Sequence, residues 1–99
     1  MSIAQTILTQ LGGNKFCVMT GAYNLLAVEN GLQFKLPGKN FAKDDINLVR
    51  VTLTPQDVYT LEFFRTRGTK CTLISTINDV YCDNLQRIFT EVTGLDTHL

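Results

Sequence analysis

Arg65, Arg67 and Lys70 gather around Gly68 in one short basic stretch, and Lys35, Lys39 and Lys43 occupy a second. Guanidinium and ammonium groups hold phosphate oxygens, so two hairpin tips of this composition form a basic edge if they lie on one side of the fold. Phe41, Tyr59 and Phe64 would add stacking surfaces of the kind that single-stranded nucleic acid uses, although aromatic residues in strands more often fill a core. Nucleic acid is therefore one candidate partner, with Lys39, Lys43, Arg65, Arg67 and Lys70 as its contacts.

Other residues suited to chemistry are explained more simply. Gly12-Gly13-Asn14-Lys15 has the look of a phosphate loop, yet it follows a helical pattern instead of opening one, so the nearby dipole end repels an anion. Gly68-Thr69-Lys70 fails the Gly-Lys-Ser/Thr order of a nucleotide-binding loop. Tyr23 and Asn24, beside Gly21, offer a phenol and an amide to a ligand, but a glycine that lets the backbone bulge is the plainer reason for that break. His98 lies near the end of the chain with no apolar pattern to hold it. Asp44-Asp45 falls in a polar stretch, and Asp79 and Asp83 fall where helix capping accounts for them. No nucleophile, base and orienting group assemble on rigid elements, so the expectation is a protein that is not an enzyme, with no cofactor and no metal site.

Cys17, Cys71 and Cys82 form no Cys-x-x-Cys pair and no Cys/His cluster, so they read as free thiols. Cys17 and Cys71 fall in apolar strand patterns and are expected in the core. Cys82, at the start of a predicted helix, is the one with a physical case for reactivity. Nine basic and nine acidic residues cancel, which argues against a surface built throughout to grip phosphate backbones. The opening residues lack a basic segment leading into a long apolar one, and no run approaches the length of a membrane span, so a cytoplasmic location is expected.

The elements that must position these residues follow from periodicity. Ser2 and Gln5 form a capping-box pattern, and Ile3, Ile7, Leu8 and Leu11 repeat at helical spacing until Gly12-Gly13. Lys15 to Thr20, rich in strand formers, reads as a first strand. Leu25 to Glu29, then Asn30-Gly31, then the alternation of Leu32, Phe34 and Leu36, reads as a hairpin with a type I′ turn. Pro37-Gly38 opens an exposed loop through Asp45 with Phe41 as its anchor. Val49, Val51 and Leu53 alternate in the next strand, and Tyr59, Leu61 and Phe63 in the one after. A basic turn leads to Cys71, Leu73, Ile74 and Ile77. Asn78 or Asp79 then caps a helix in which Tyr81, Leu85, Ile88, Phe89 and Val92 share a face before Gly94. The expected fold is α+β: residues 1–99 as one domain, an antiparallel β-meander of five to six strands flanked by an N-terminal and a C-terminal helix packed on one face.

The strand beginning near Tyr59 carries apolar residues on both sides, Tyr59, Leu61 and Phe63 against Val58 and Phe64. That is more than a sheet with one wet face requires. Phe41 from the long loop, or a second copy of the chain, would cover the surplus, which makes Phe41, Val58 and Phe64 a candidate protein interface and a homo-oligomer the expected assembly.

Leu11-Gly12-Gly13-Asn14-Lys15-Phe16, Met19-Thr20-Gly21-Ala22, the Leu32-x-Phe34-x-Leu36-Pro37 strand, Asn47-x-Val49-Arg50-Val51-Thr52-Leu53 and Thr93-Gly94-Leu95 together resemble a family of small, uncharacterised proteins of tailed bacteriophages and prophages. Tyr23 stands where that family is associated with a basic residue. The resemblance implies a bacterial host cytoplasm and an accessory product that binds a host or phage macromolecule, and it carries over no catalytic or binding residue. The sequence thus points first to protein binding with self-association, and second to nucleic-acid binding through the basic loop tips.

Overall fold

The computed structural model describes residues 3–37 and 46–94. Helices α1 (Ile3–Leu11) and α2 (Asn14–Thr20) precede strands β1 (Tyr23–Val28), β2 (Gly31–Lys35), β3 (Leu48–Leu53), β4 (Tyr59–Arg67) and β5 (Lys70–Val80). A 3₁₀ turn (Cys82–Asn84) and helix α3 (Leu85–Thr93) follow. The five strands pair antiparallel in chain order, giving the expected α+β meander with N-terminal helices and a C-terminal helix packed on the sheet. Ser2 of the proposed capping box, the Gly38–Asp45 stretch with Phe41, and Leu95 lie outside the described residues.

Strand alternation builds the core. Directly opposed residues of antiparallel strands share a face, and the register aligns Leu32, Val51 and Leu61 in one row and Phe34, Val49 and Phe63 in the next. These rows are buried with Ala4, Ile7 and Leu11 of α1, Phe16 of α2, and Leu85 and Phe89 of α3. The Phe16 ring meets Phe34 and Phe89 edge-on with centroids 5.2 Å away in each case, the arrangement that aromatic quadrupoles favour. Gln86 ties α3 to the end of α1 by donating to the Leu11 carbonyl at 3.0 Å.

Three expectations need correction. The segment read as a first strand is helix α2. Phe16 and Thr20 are both fully buried while Val18 is 81% exposed, so the buried spacing is four residues. That spacing satisfies a period of 3.6 as well as a period of 2, and the strand formers tipped the reading the wrong way. The Thr20 hydroxyl donates to the Phe16 carbonyl at 2.7 Å, and Gly21 closes the helix with φ of 72°.

The first hairpin does not use an Asn-Gly type I′ turn. Its loop is Glu29-Asn30, only Asn30 carries a positive φ, and Gly31 already belongs to β2, paired with Val28. Gly31 is there for space: a Cβ at this position would lie 2.2 Å from the Val51 carbonyl oxygen.

Asn78 and Asp79 do not cap the last helix. They form a bulge in β5, where three steps of that strand match two of β4 and Asp79 adopts φ of 58°. A short polar residue able to enter the left-handed region suits a bulge as well as a cap. Helix α3 begins only at Leu85, leaving Tyr81 exposed. Gly94 does end it, with its N–H donating to Thr90 O at 2.8 Å.

Candidate functional site

The β4–β5 hairpin is the feature that organises polar chemistry. Strand β3 pairs with β4 only as far as Phe64, opposite Leu48, whereas β5 stays paired through Arg65, Thr66 and Arg67. The hairpin therefore runs past its neighbour. Where β3 has ended, the Asn47 side chain replaces a strand residue: its Oδ1 accepts from the Thr66 N–H at 2.8 Å and the Thr66 hydroxyl at 3.0 Å, and its Nδ2 donates to Thr66 O at 3.0 Å. This clamp fixes Thr66, so Arg65 and Arg67, on either side of it, project to the opposite face.

Across the hairpin Arg65 faces Thr72 and Arg67 faces Lys70, and these four side chains line a cleft of about 310 Å³. The loop between them is Gly68-Thr69, with φ of 57° at Gly68 and no positive φ at Thr69, the sign pattern of a type II′ hairpin turn. Arg65, Arg67 and Lys70, singled out from the sequence, are thus brought together. Lys35 is not with them. It sits in the row Tyr23, Lys35, Leu48, Phe64, Leu73 on the face away from the helices. Lys39 and Lys43 lie outside the described residues.

That second face holds the other candidate. At its centre Arg50 donates to Gln33 Oε1 from Nε at 3.2 Å and Nη2 at 3.0 Å, approaches Glu62 at 3.8 Å, and lies 5.4 Å from the centre of the Phe64 ring. The guanidinium thus lies over Phe64 in a cation–π contact, and Arg50 finds its partners within the chain. Val58 is buried ahead of β4 and does not reach this surface. The uncovered apolar surface lies instead at the sheet borders, with Tyr23, Leu25 and Leu26 on β1 and Leu73 on β5, the last 50% exposed beside Phe64. Asn24, with φ of 53°, marks a bulge in β1.

Strand alternation alone does not mark Leu73 as a surface residue; the signal for it is the adjacent pair Leu73-Ile74. Two consecutive apolar residues cannot both face one core in a regular strand. A bulge between Phe63 and Phe64 of the β4 register turns Ile74 toward the core and leaves Leu73 on the second face.

The thiols divide. Cys17 packs partly buried against the core as expected, but Cys71 is exposed near the free end of the hairpin, and Cys82 is exposed in the 3₁₀ turn. Tyr59 donates to Gln10 Oε1 at 2.6 Å, tying α1 to β4. Burial pushes its phenol above the ordinary 10.0, the nearby Cys82 adds to this, and the Gln10 bond opposes it. The hydroxyl therefore stays protonated and serves as a tie. Among the described residues no three His, Cys, Asp or Glu side chains gather as a metal site, and no helix is long and apolar enough to cross a membrane. No protein-family model, curated protein or solved structure matches this chain.

Proposed function

We propose that this chain is a non-catalytic interaction domain, of the bacteriophage and prophage accessory kind its sequence resembles, acting in the host cytoplasm by binding protein, and that its first partner is a second copy of itself. The observation that carries the reading is β5. It is 11 residues long, pairs with β4 along one side, and forms one border of the sheet. An edge of this length presents a row of backbone donors and acceptors to any strand that can align with it.

A two-fold axis normal to the sheet sets β5 antiparallel to its own copy. The Lys70 end of each strand then meets the Asp79 end of the other, and the half-exposed Leu73 beside Phe64 joins the same surface of the partner. The two bulges twist β5, which disfavours pairing with chance strands and favours a partner of matching twist, as a symmetric copy is. Nucleic-acid binding is the weaker reading, because its described support is three cations on one tip, Arg65, Arg67 and Lys70. Backbone affinity grows with the number of phosphates neutralised, and about three contacts give only a shallow salt dependence.

Sedimentation across a range of concentrations tests the proposal. The expected mass is twice the 11.1 kDa of one chain, falling to one chain in Leu73→Lys. A single-chain mass for the unaltered protein at high concentration would overturn it.

A further inference from the structure

We infer that Asn30 is a deamidation site whose reaction is gated by opening of the β1–β2 hairpin. Asn30-Gly31 is the one Asn-Gly pair in the chain. Asn is among the thermolabile residues, and a following glycine carries no side chain to shield its nitrogen from the Asn amide. The Gly31 nitrogen, giving up its proton, attacks Asn30 Cγ. The bond from Cγ to the side-chain nitrogen breaks, and that nitrogen leaves with the proton as ammonia. Water then opens the resulting succinimide ring. Opening at the side-chain carbonyl leaves aspartate, and opening at the main-chain carbonyl leaves isoaspartate, in which the chain runs through Cβ and Cγ. Water is the sole co-reactant.

The fold withholds this step. Asn30 is exposed, so water reaches it, but the peptide unit that must turn is pinned at both ends. Its carbonyl accepts from Leu53 N–H at 2.8 Å. Its N–H belongs to Gly31, which pairs with Val28 across the two-residue loop, and the pair that closes such a loop exchanges both main-chain bonds. A nitrogen donating to Val28 keeps its proton and its direction. Packing adds to the restraint, because a Cβ at Gly31 would stand 2.2 Å from the Val51 carbonyl oxygen. The release is β1. It borders the sheet, pairs with no strand but β2, and leaves every residue from Tyr23 to Ala27 exposed. A strand with so little buried surface opens at a fraction of the free energy of global unfolding, and opening frees the Gly31 nitrogen. The extra backbone atom of isoaspartate does not fit a loop held between Val28 and Leu53, so a hairpin that has reacted does not close as before. Because β5 lies at the opposite border, the inference is independent of self-association there.

Peptide mapping by mass spectrometry tests this on the full chain, held folded in mildly alkaline buffer and, in parallel, unfolded in guanidinium chloride at the same pH. The expected result is conversion at Asn30 ahead of every other asparagine in the unfolded chain, and conversion at least about tenfold slower in the folded one. Leu26→Pro removes an N–H that strand alternation turns toward Gln33. It should speed the folded chain's reaction about tenfold while amide protection in β3 and β4 is unchanged. A comparison that needs no variant is hydrogen exchange: the slowing on folding should match the protection of the Gly31 amide to within about threefold. Absence of conversion at Asn30 in the unfolded chain would overturn the site. Equal rates in the folded and unfolded chains would overturn the gate. Slowing unrelated to Gly31 protection, or a rate that ignores Leu26→Pro while β1 amides exchange faster, would overturn hairpin opening as the route.

Discussion

The sheet contains two hairpins with two-residue loops, and they are built for opposite purposes. In the β1–β2 hairpin the base of the exposed Glu29-Asn30 turn is tied to the neighbouring strand: Leu53 N–H donates to Asn30 O at 2.8 Å, and Gly31 is pressed against the Val51 carbonyl. In the β4–β5 hairpin the tip stands clear, and a Cβ at Gly68 would meet nothing within 4 Å. One glycine is required by its neighbours and the other by its own backbone angle. The β2 strand of the first hairpin gives Leu32 and Phe34 to the core, while the β4–β5 hairpin carries Arg65, Arg67 and Lys70 to a cleft at its end. Where a hairpin outruns the neighbouring strand, its polar side chains are left at the surface.

Gly31→Ala tests the packed side of this comparison most severely. The new methyl meets backbone on the neighbouring strand, which cannot rotate away, so the expected loss is about 3 kcal/mol, read from the urea midpoint. A loss under about 1 kcal/mol would mean that β2 and β3 separate easily there, and the contrast between the hairpins would fail.

Asn47→Ala addresses the clamp. It removes the bonds between the Asn47 amide and Thr66 at a partly buried site, and the expected cost is about 2 kcal/mol. Hydrogen exchange at the Thr66 amide should quicken more than at Leu61 or Phe63. Uniform quickening along β4 would show that the hairpin end has no separate stability.

Gly68→Ala should cost about 1 kcal/mol, the penalty for an L-residue at positive φ, with no steric term added. It should leave the exchange rates of β1 to β3 unchanged. A cost equal to that of Gly31→Ala would erase the distinction between a glycine needed for space and one needed for its angle.

Much of the fold could be read from the residues because β2, β3 and β4 alternate cleanly, each with one face in the core. What escaped was wherever two periods agree or a strand breaks its own. Phe16 and Thr20, four apart, fit a helix and a strand equally. Leu73 and Ile74 side by side, and Asn78 before Asp79, mark bulges that reverse which face the following residues take. The basic cluster at Arg65, Arg67 and Lys70 was visible from composition. That Lys35 lies on the other face required the register, since a side chain's face depends on the parity of every residue between it and the core.

The smallest effect gives the most direct reading of the outer hairpin. Lys70 stands directly across from Arg67, so Lys70→Gln removes a cross-strand repulsion and should stabilise the chain by about 0.5 kcal/mol. The measurement belongs at low ionic strength and at a low protein concentration, so that any self-association does not enter. Because exposed charges are screened, the gain should shrink toward zero as salt is raised. A variant less stable than the parent at every salt concentration would mean that Lys70 is held by favourable contacts within the chain. The cleft would then be ordinary surface, and the difference between the two hairpins would be one of packing alone.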